Sequence, residues 1–170
     1  MKKIMFNDKY GLTKAVLEGH KTMTRRNTDL YEVGEAVAIA QSYSALGYSA
    51  SEYCEVKMPN GGTRDETLEE LMGWRNKMFV KAERMPHHIR ILSKRKERLQ
   101  DISEEDCLKE GVLSSDKYAM PYGIPYTNSS VFFYYSSPRE AFAALIDKVS
   151  GKGTWESNPL VWVYEFELVD

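Results

Sequence analysis

The sequence predicts an α+β fold, and three observations carry that expectation. The last stretch alternates strictly: Leu160, Trp162, Tyr164, Phe166 and Leu168 against Val161, Val163, Glu165 and Glu167, the period of a strand. Before it, Ser137-Pro138-Arg139-Glu140 supplies a Ser cap, Pro at the first helical position and Glu three residues after the cap. Phe142, Leu145, Ile146 and Val149 then recur at helical spacing, predicting a helix over 138–150 packed beside the 160–168 strand. Elsewhere, short strands mix with short helices without a regular βαβ rhythm, which favours α+β over a doubly wound parallel sheet.

The remaining elements follow in order. Residues 9–19 read as a helix, with Leu12, Ala15 and Val16 on one face, Asn7 or Asp8 as cap and Gly19 as stop. Residues 36–43 look like a buried strand. Turn-rich 44–62 closes in Pro59-Asn60-Gly61-Gly62. Thr63-Arg64-Asp65-Glu66 fits a capping box opening a helix with Leu68, Leu71 and Met72, ended by Gly73 and covered by Trp74. The whole of 44–76 reads as an insertion into a single domain spanning 1–170. Strands are expected at 78–82 and 88–99, and a short acidic helix from Ser103 to Glu110, stopped by Gly111. Residues 113–135 are irregular and end in the aromatic run Val131-Phe132-Phe133-Tyr134-Tyr135.

Composition narrows the class. At 170 residues, 42% hydrophobic and net charge -2, the chain can bury a core and is not uniformly basic. Two cysteines, outside any CxxC, give neither a disulfide framework nor a thiol redox motif. The polar start and the lack of an apolar run of about 20 residues predict a cytoplasmic protein without a membrane segment. His87 and His88 are adjacent and would point apart in a strand, so no metal site is expected. Without a Gly-rich phosphate loop or a nucleophile elbow, no cofactor is expected either.

Charge is unevenly distributed. Between Lys81 and Gln100, seven basic residues (Lys81, Arg84, Arg90, Lys94, Arg95, Lys96, Arg98) meet only Glu83 and Glu97, and Lys21, Arg25 and Arg26 add to them. Such a cluster suits phosphates, or simply protects a strand edge. Tyr122, Tyr126 and the aromatic run are candidates for base stacking, although Phe132 and Phe133 fit a core or an edge strand better, and Trp162 reads as core.

Gly19-His20-Lys21-Thr22-Met23-Thr24-Arg25-Arg26, directly after the first helix, resembles the signature of the ASCH domain: Gly19, Lys21, Thr22, Thr24 and Arg26 all match. Residues 98–106 with Glu110-Gly111 are similar to the family's second segment. Trp155–Phe166 is similar to the closing strand of its phage and prophage branch, and Met5-Phe6-Asn7 to that branch's opening. The likeness fails over 44–76 and after Gly34, where Glu35 stands in place of the family's aspartate.

The resemblance implies a PUA-like small β-barrel of mixed or antiparallel strands with flanking helices. It further implies a cleft that binds RNA or a modified nucleoside, lined by Lys21, Thr22, Thr24, Arg26 and Glu110, with Arg25, Lys94, Arg95 and Lys96 available to phosphates. One bacterial branch hydrolyses acetylcytidine with a lysine, a threonine and a glutamate, to which Lys21, Thr24 and Glu110 correspond. In such an amidohydrolase a charged Lys21 would stabilise the oxyanion while Glu110 takes a proton; a dry, neutral Lys21 would instead be base or nucleophile. Thr24 would be nucleophile, relay or donor, and it meets Lys21 only if 20–24 is a turn or bulge, because a regular strand sends them to opposite faces. A third reading makes the chain a phage-derived accessory module whose 44–76 insertion binds another protein. Oligomeric state is not legible.

Overall fold

The computed structural model describes residues 1–116, 119–126 and 132–170. In chain order its elements are β1 (Lys3–Ile4), α1 (Leu12–Leu17), β2 (Met23–Arg26), β3 (Ala36–Ile39), β4 (Tyr53–Lys57), β5 (Thr63–Thr67), β6 (His88–Arg98), α2 (Glu104–Lys109), β7 (Leu113–Ser114), β8 (Tyr122–Pro125), β9 (Phe132–Tyr135), α3 (Pro138–Ser150), α4 (Thr154–Ser157) and β10 (Leu160–Leu168). This is an α+β protein, and among the described residues its strands form open sheets, not a closed barrel. Val131 and the rest of 127–131, with 117–118, lie outside the described residues. Among the described residues, no helix is long and apolar enough to cross a membrane.

Contacts gather the chain into two units: Met1–Met5 with Ala38–Pro86, and Phe6–Val37 with His87–Asp170. In the first, β1 pairs in parallel with the end of β3 (Lys3↔Ala38, Ile4↔Ile39). Ala38, Val80, Ala82 and Met85 form its small core, joined by Tyr43 and Leu46. The Lys3 ammonium donates to the carbonyls of Met78 at 2.8 Å and Val80 at 2.6 Å, tying the segment down. Two sequence expectations are corrected here. Thr63–Glu66 opens no helix: it lies in β5, paired with β4 across the Pro59–Gly62 turn, and the capping box is four residues later, Thr67 with Glu70, on a 3-10 turn. The strand expected at 78–82 is instead two 3-10 turns, Lys77–Phe79 and Ala82–Arg84. A period-2 apolar pattern this short does not distinguish a strand from tight turns that bury alternate residues.

Gly73 has its own consequence in this unit. A Cβ added there would lie 2.7 Å from Tyr43 Cε2 and 3.0 Å from Val80 Cγ2. Gly73→Ala is therefore expected to destabilise the protein by about 1–3 kcal/mol through overpacking. A urea midpoint unchanged from wild type would contradict this.

The second unit carries the long ladder. β10 pairs antiparallel with β6 from Leu160↔Arg98 to Leu168↔Ile89 and with β2 from Trp162↔Arg26 to Glu165↔Met23. The β10–β6 register shifts between Glu165 and Phe166, passing over Leu92. β7, β8 and β9 form a separate antiparallel sheet with β8 in the middle. α3 packs mainly against α2, α4, β8 and β9, and not beside β10, where the sequence predicts it.

The capped elements stand where their residues predict. Ser137 accepts the Glu140 N–H at 3.1 Å and Ser103 the Asp106 N–H at 3.1 Å. The buried face of α3 is Pro138, Ala141, Phe142 and Leu145, one turn earlier than the Phe142–Val149 stripe. α1 is shorter than 9–19: it starts after Gly11, at φ 67°, while Asn7 and Asp8 close the preceding turn. β3 likewise stops at Ile39. Trp162, expected in the core, is half-buried, with the Lys94 and Lys96 ammoniums each 5.4 Å from its ring centre.

Candidate functional site

Strand alternation sorts the motif residues. In the three-strand ladder the cross-strand row Arg25–Val163–Arg95 alternates with Thr24–Tyr164–Lys94 and Arg26–Trp162–Lys96. Successive side chains point to opposite faces, so Arg25 and Arg95 share one face while Thr24, Arg26, Lys94 and Lys96 share the other. The basic run 94–96 is thus not a single patch.

On the Arg25 face the chain buries a dense charge network. Lys21 is 2% exposed and Glu110 5%. The Lys21 Nζ donates to Glu110 Oε2 at 2.6 Å, to the Glu110 carbonyl at 2.8 Å and to the Met23 carbonyl at 2.7 Å. An ammonium has three donors, so all of Lys21's are used. The second Glu110 oxygen accepts from Arg25 at 2.9 Å. Arg25 also bonds Glu97 at 2.5 Å, and Asp106 accepts from Arg95 at 2.8 Å. Asp106 and Glu110 are four apart and present one side of α2 and its cap to the sheet. Burial pushes Lys21 below the ordinary lysine range, and the Glu110 carboxylate pulls it back. Cys107 sits in the same helix, its thiol pushed up to about 11 by burial, and is an inert core residue.

Lys21 and Glu110 therefore meet directly, at 2.6 Å. Thr24 is 4% exposed and belongs to the other row, beside Tyr164. Over the Thr24–Tyr164 row that face is covered by the Thr28–Tyr31 loop: Tyr164 donates to Asp29 at 2.9 Å, accepts the Leu30 N–H at 2.8 Å and meets Tyr31 edge-on. Lys94 is held by Asp29 at 3.1 Å and Glu32 at 2.8 Å, and Arg95 by Glu97, Asp106 and Glu165. Thr22 acts through its backbone, its N–H donating to Lys109 and its carbonyl accepting from Phe166, both at 2.9 Å. Residue spacing alone did not reveal that Arg25 completes the Glu110 site.

Glu97 gives this network a pH signature. Burial pushes its carboxyl up, but hydrogen bonds from Arg25 and Arg95 outweigh that and hold it below the ordinary glutamate range. A depressed folded-state pKa contributes stability that is present above the unfolded value, about 4.3, and is lost as pH falls through the folded one. Stability should thus fall steeply below about pH 4. Glu97→Gln should flatten that acid limb in urea titrations from pH 7 to 3; an unchanged limb would count against the network.

The open concavity of this unit lies beside the network. A cavity of about 560 Å³ is lined by His20, Leu108, Val112, Leu113, Ser114, Ser115, Pro121, Gly123, Phe132 and Tyr134. Its aromatic wall is β9: Phe132 and Tyr134 are 42% and 40% exposed, with ring centres 6.0 Å apart and planes 25° from parallel. They stand over Gly123, where a Cβ would lie 3.8 Å from each ring. Phe133, between them, points back toward α3, with the Lys148 ammonium 4.3 Å from its ring centre. The opposite wall comes from the two segments that carry the motif. His20 precedes Lys21, while Leu108 and Val112 flank Glu110 and Gly111. The Lys21–Glu110 bond and the Thr22–Lys109 backbone bond join these segments at the back of the cavity.

No family model matches the chain, and no curated protein matches it. Among solved structures, the chain is similar to a DUF984 protein from Enterococcus faecalis, at 14% identity and TM-score 0.45, covering 100% of this chain and 81% of that one. It is also similar to an ASCH domain from Lactobacillus crispatus, at 12% identity and TM-score 0.41, covering 96% of this chain and 75% of that one.

Proposed function

We propose that the protein binds a nucleobase, as part of an RNA or a modified nucleoside, in the cleft between His20 and the Phe132–Tyr134 wall. One observation carries this reading: two adjacent, part-exposed aromatic rings present a platform in a cavity of about 560 Å³. That volume falls within the usual range for small-ligand sites. Such a platform stacks any base, and the polar edges of His20, Ser114 and Ser115 suit its hydrogen-bonding groups. The sequence resemblance to ASCH domains, with their PUA-like barrel and RNA association, points the same way.

On this reading the Lys21–Glu110–Arg25 network is a brace. The bonds from Lys21 to the Glu110 carboxylate and carbonyl hold the two cleft segments together. The amidohydrolase alternative asks Lys21, Thr24 and Glu110 to share an opening. Here Lys21 has all three donors taken, Glu110 accepts from Lys21 on one oxygen and Arg25 on the other, and Thr24 belongs to the other row. A calorimetric titration with the four ribonucleosides, acetylcytidine and a short single-stranded RNA tests the proposal, with mass spectrometry of the acetylcytidine sample. Saturable binding without release of cytidine is expected. Cytidine formation that Lys21→Ala and Glu110→Ala abolish would establish the enzyme instead, and no binding to any of these probes would overturn the reading.

A further inference from the structure

We infer that the cleft is built for two consecutive bases of a single strand, and not for a free nucleoside. This rests on the nucleobase reading of the cleft. The main cavity is not isolated. A second one, of about 280 Å³, shares His20, Leu113 and Phe132 with it and extends past them to Gly111, Lys14 and Tyr126. The three shared residues thus form a ridge with a pocket on each side.

Each pocket has its own aromatic surface, Tyr134 on one side and Tyr126 on the other, with Phe132 common to both. The second is positioned by neighbours: Tyr126 meets Tyr10 edge-on at 5.9 Å and Phe133 at 6.4 Å, and the Lys9 ammonium lies 5.2 Å from its ring centre. A base stacked on each side of the ridge would leave the linking phosphate above it, beside His20 and within reach of the exposed Lys14 side chain, which would exchange its exposed 3.6 Å pairing with Glu18, also on the pocket wall, for the phosphate. A single nucleoside would fill one pocket and leave the other to water. Phosphate contacts add affinity and stacking adds more per base, so the second pocket should be read as added affinity for a strand.

The test compares the four ribonucleoside 3′-monophosphates with the four homodinucleotides at several salt concentrations. At least one dinucleotide should bind about tenfold or more tightly than its mononucleotide. Tyr126→Ala should remove that gain while leaving the mononucleotide affinity near wild type. Because Tyr126 also packs on its neighbours, the exposed Lys14→Ala serves as a second variant. It should weaken dinucleotide binding and reduce the salt slope by about 0.7, the value for one phosphate contact on a single strand. Dinucleotides no tighter than mononucleotides, or a slope that Lys14→Ala leaves unchanged, would overturn the two-base site while the single-base cleft stands. Failure of both probe sets to bind would remove the cleft reading, and this inference with it.

Discussion

Glu110→Ala is expected to lower the free energy of unfolding by about 3–5 kcal/mol, the cost of stripping one partner from a buried ion pair. The Glu110 carboxylate is the shared acceptor for Lys21 at 2.6 Å and Arg25 at 2.9 Å, with little of either cation exposed. Alanine would leave Lys21 with two carbonyl acceptors and return Arg25 to Glu97 and Asp106 alone. Neither cation can turn to solvent from a 1–2% exposed side chain without moving β2 away from α2. Pairing Glu110→Leu with Lys21→Met removes both charges together and restores apolar volume. That double variant should be less destabilised than the sum of its singles, with a coupling of about 0.5–3 kcal/mol. Urea denaturation of the four proteins measures it directly. A loss under about 1 kcal/mol for Glu110→Ala, the value of an exposed pair, would show that water reaches the network.

What the sequence revealed and what it hid follow from the range of the interactions. α3 and β10 lie where their own residues place them because caps and alternation are local: Ser137, Pro138 and Glu140 start the helix whatever surrounds it. The turns near Val80 were misread because Val80 and Ala82 serve a small core with Ala38 and Tyr43, far away in sequence, while β5, Thr63-Arg64-Asp65-Glu66-Thr67, carries no apolar residue whose period could mark it as a strand. The burial of β10 on both faces was equally hidden. Val163 is covered on one side, while Tyr164 is sealed by the Thr28–Tyr31 loop on the other, and no periodicity announces a loop that folds back onto a sheet. The motif brought Lys21 to Glu110 across 89 positions, but not Arg25 into the same carboxylate. Nor did it show that Thr24 and Arg26 share a face that Arg25 does not, since the distinction depends on β2 being a regular strand from Met23 onward. Likewise, the aromatic run looked like an edge strand, which β9 is. Only the placement of β9 along the cavity shows that Phe132 and Tyr134 face it while Phe133 turns toward α3.

Phe132→Ala and Tyr134→Ala are each expected to weaken nucleobase binding by about 1–3 kcal/mol, the worth of one base–aromatic stack, or roughly 5- to 150-fold. Stability should change little, by about 0.5 kcal/mol or less, because both rings are substantially exposed and meet each other more than the core. This separation of affinity from stability distinguishes the platform from the brace behind it, where Lys21 and Glu110 variants should unfold the cleft and lose affinity with it. A control lies across the ladder. Trp162 is half-buried between Lys94 and Lys96 on the face with Arg26, and that face is the competing nucleic-acid surface. Its lysine at position 94 is already held by Asp29 and Glu32, so it has less charge to offer a phosphate than its sequence suggests. Trp162→Ala and Lys96→Ala should therefore leave the affinity for a mononucleotide within about twofold of wild type, less than a single stack is worth. Should those two changes abolish binding while Phe132→Ala and Tyr134→Ala leave it intact, the ligand sits on the sheet face, and the cleft beside His20 is not the site.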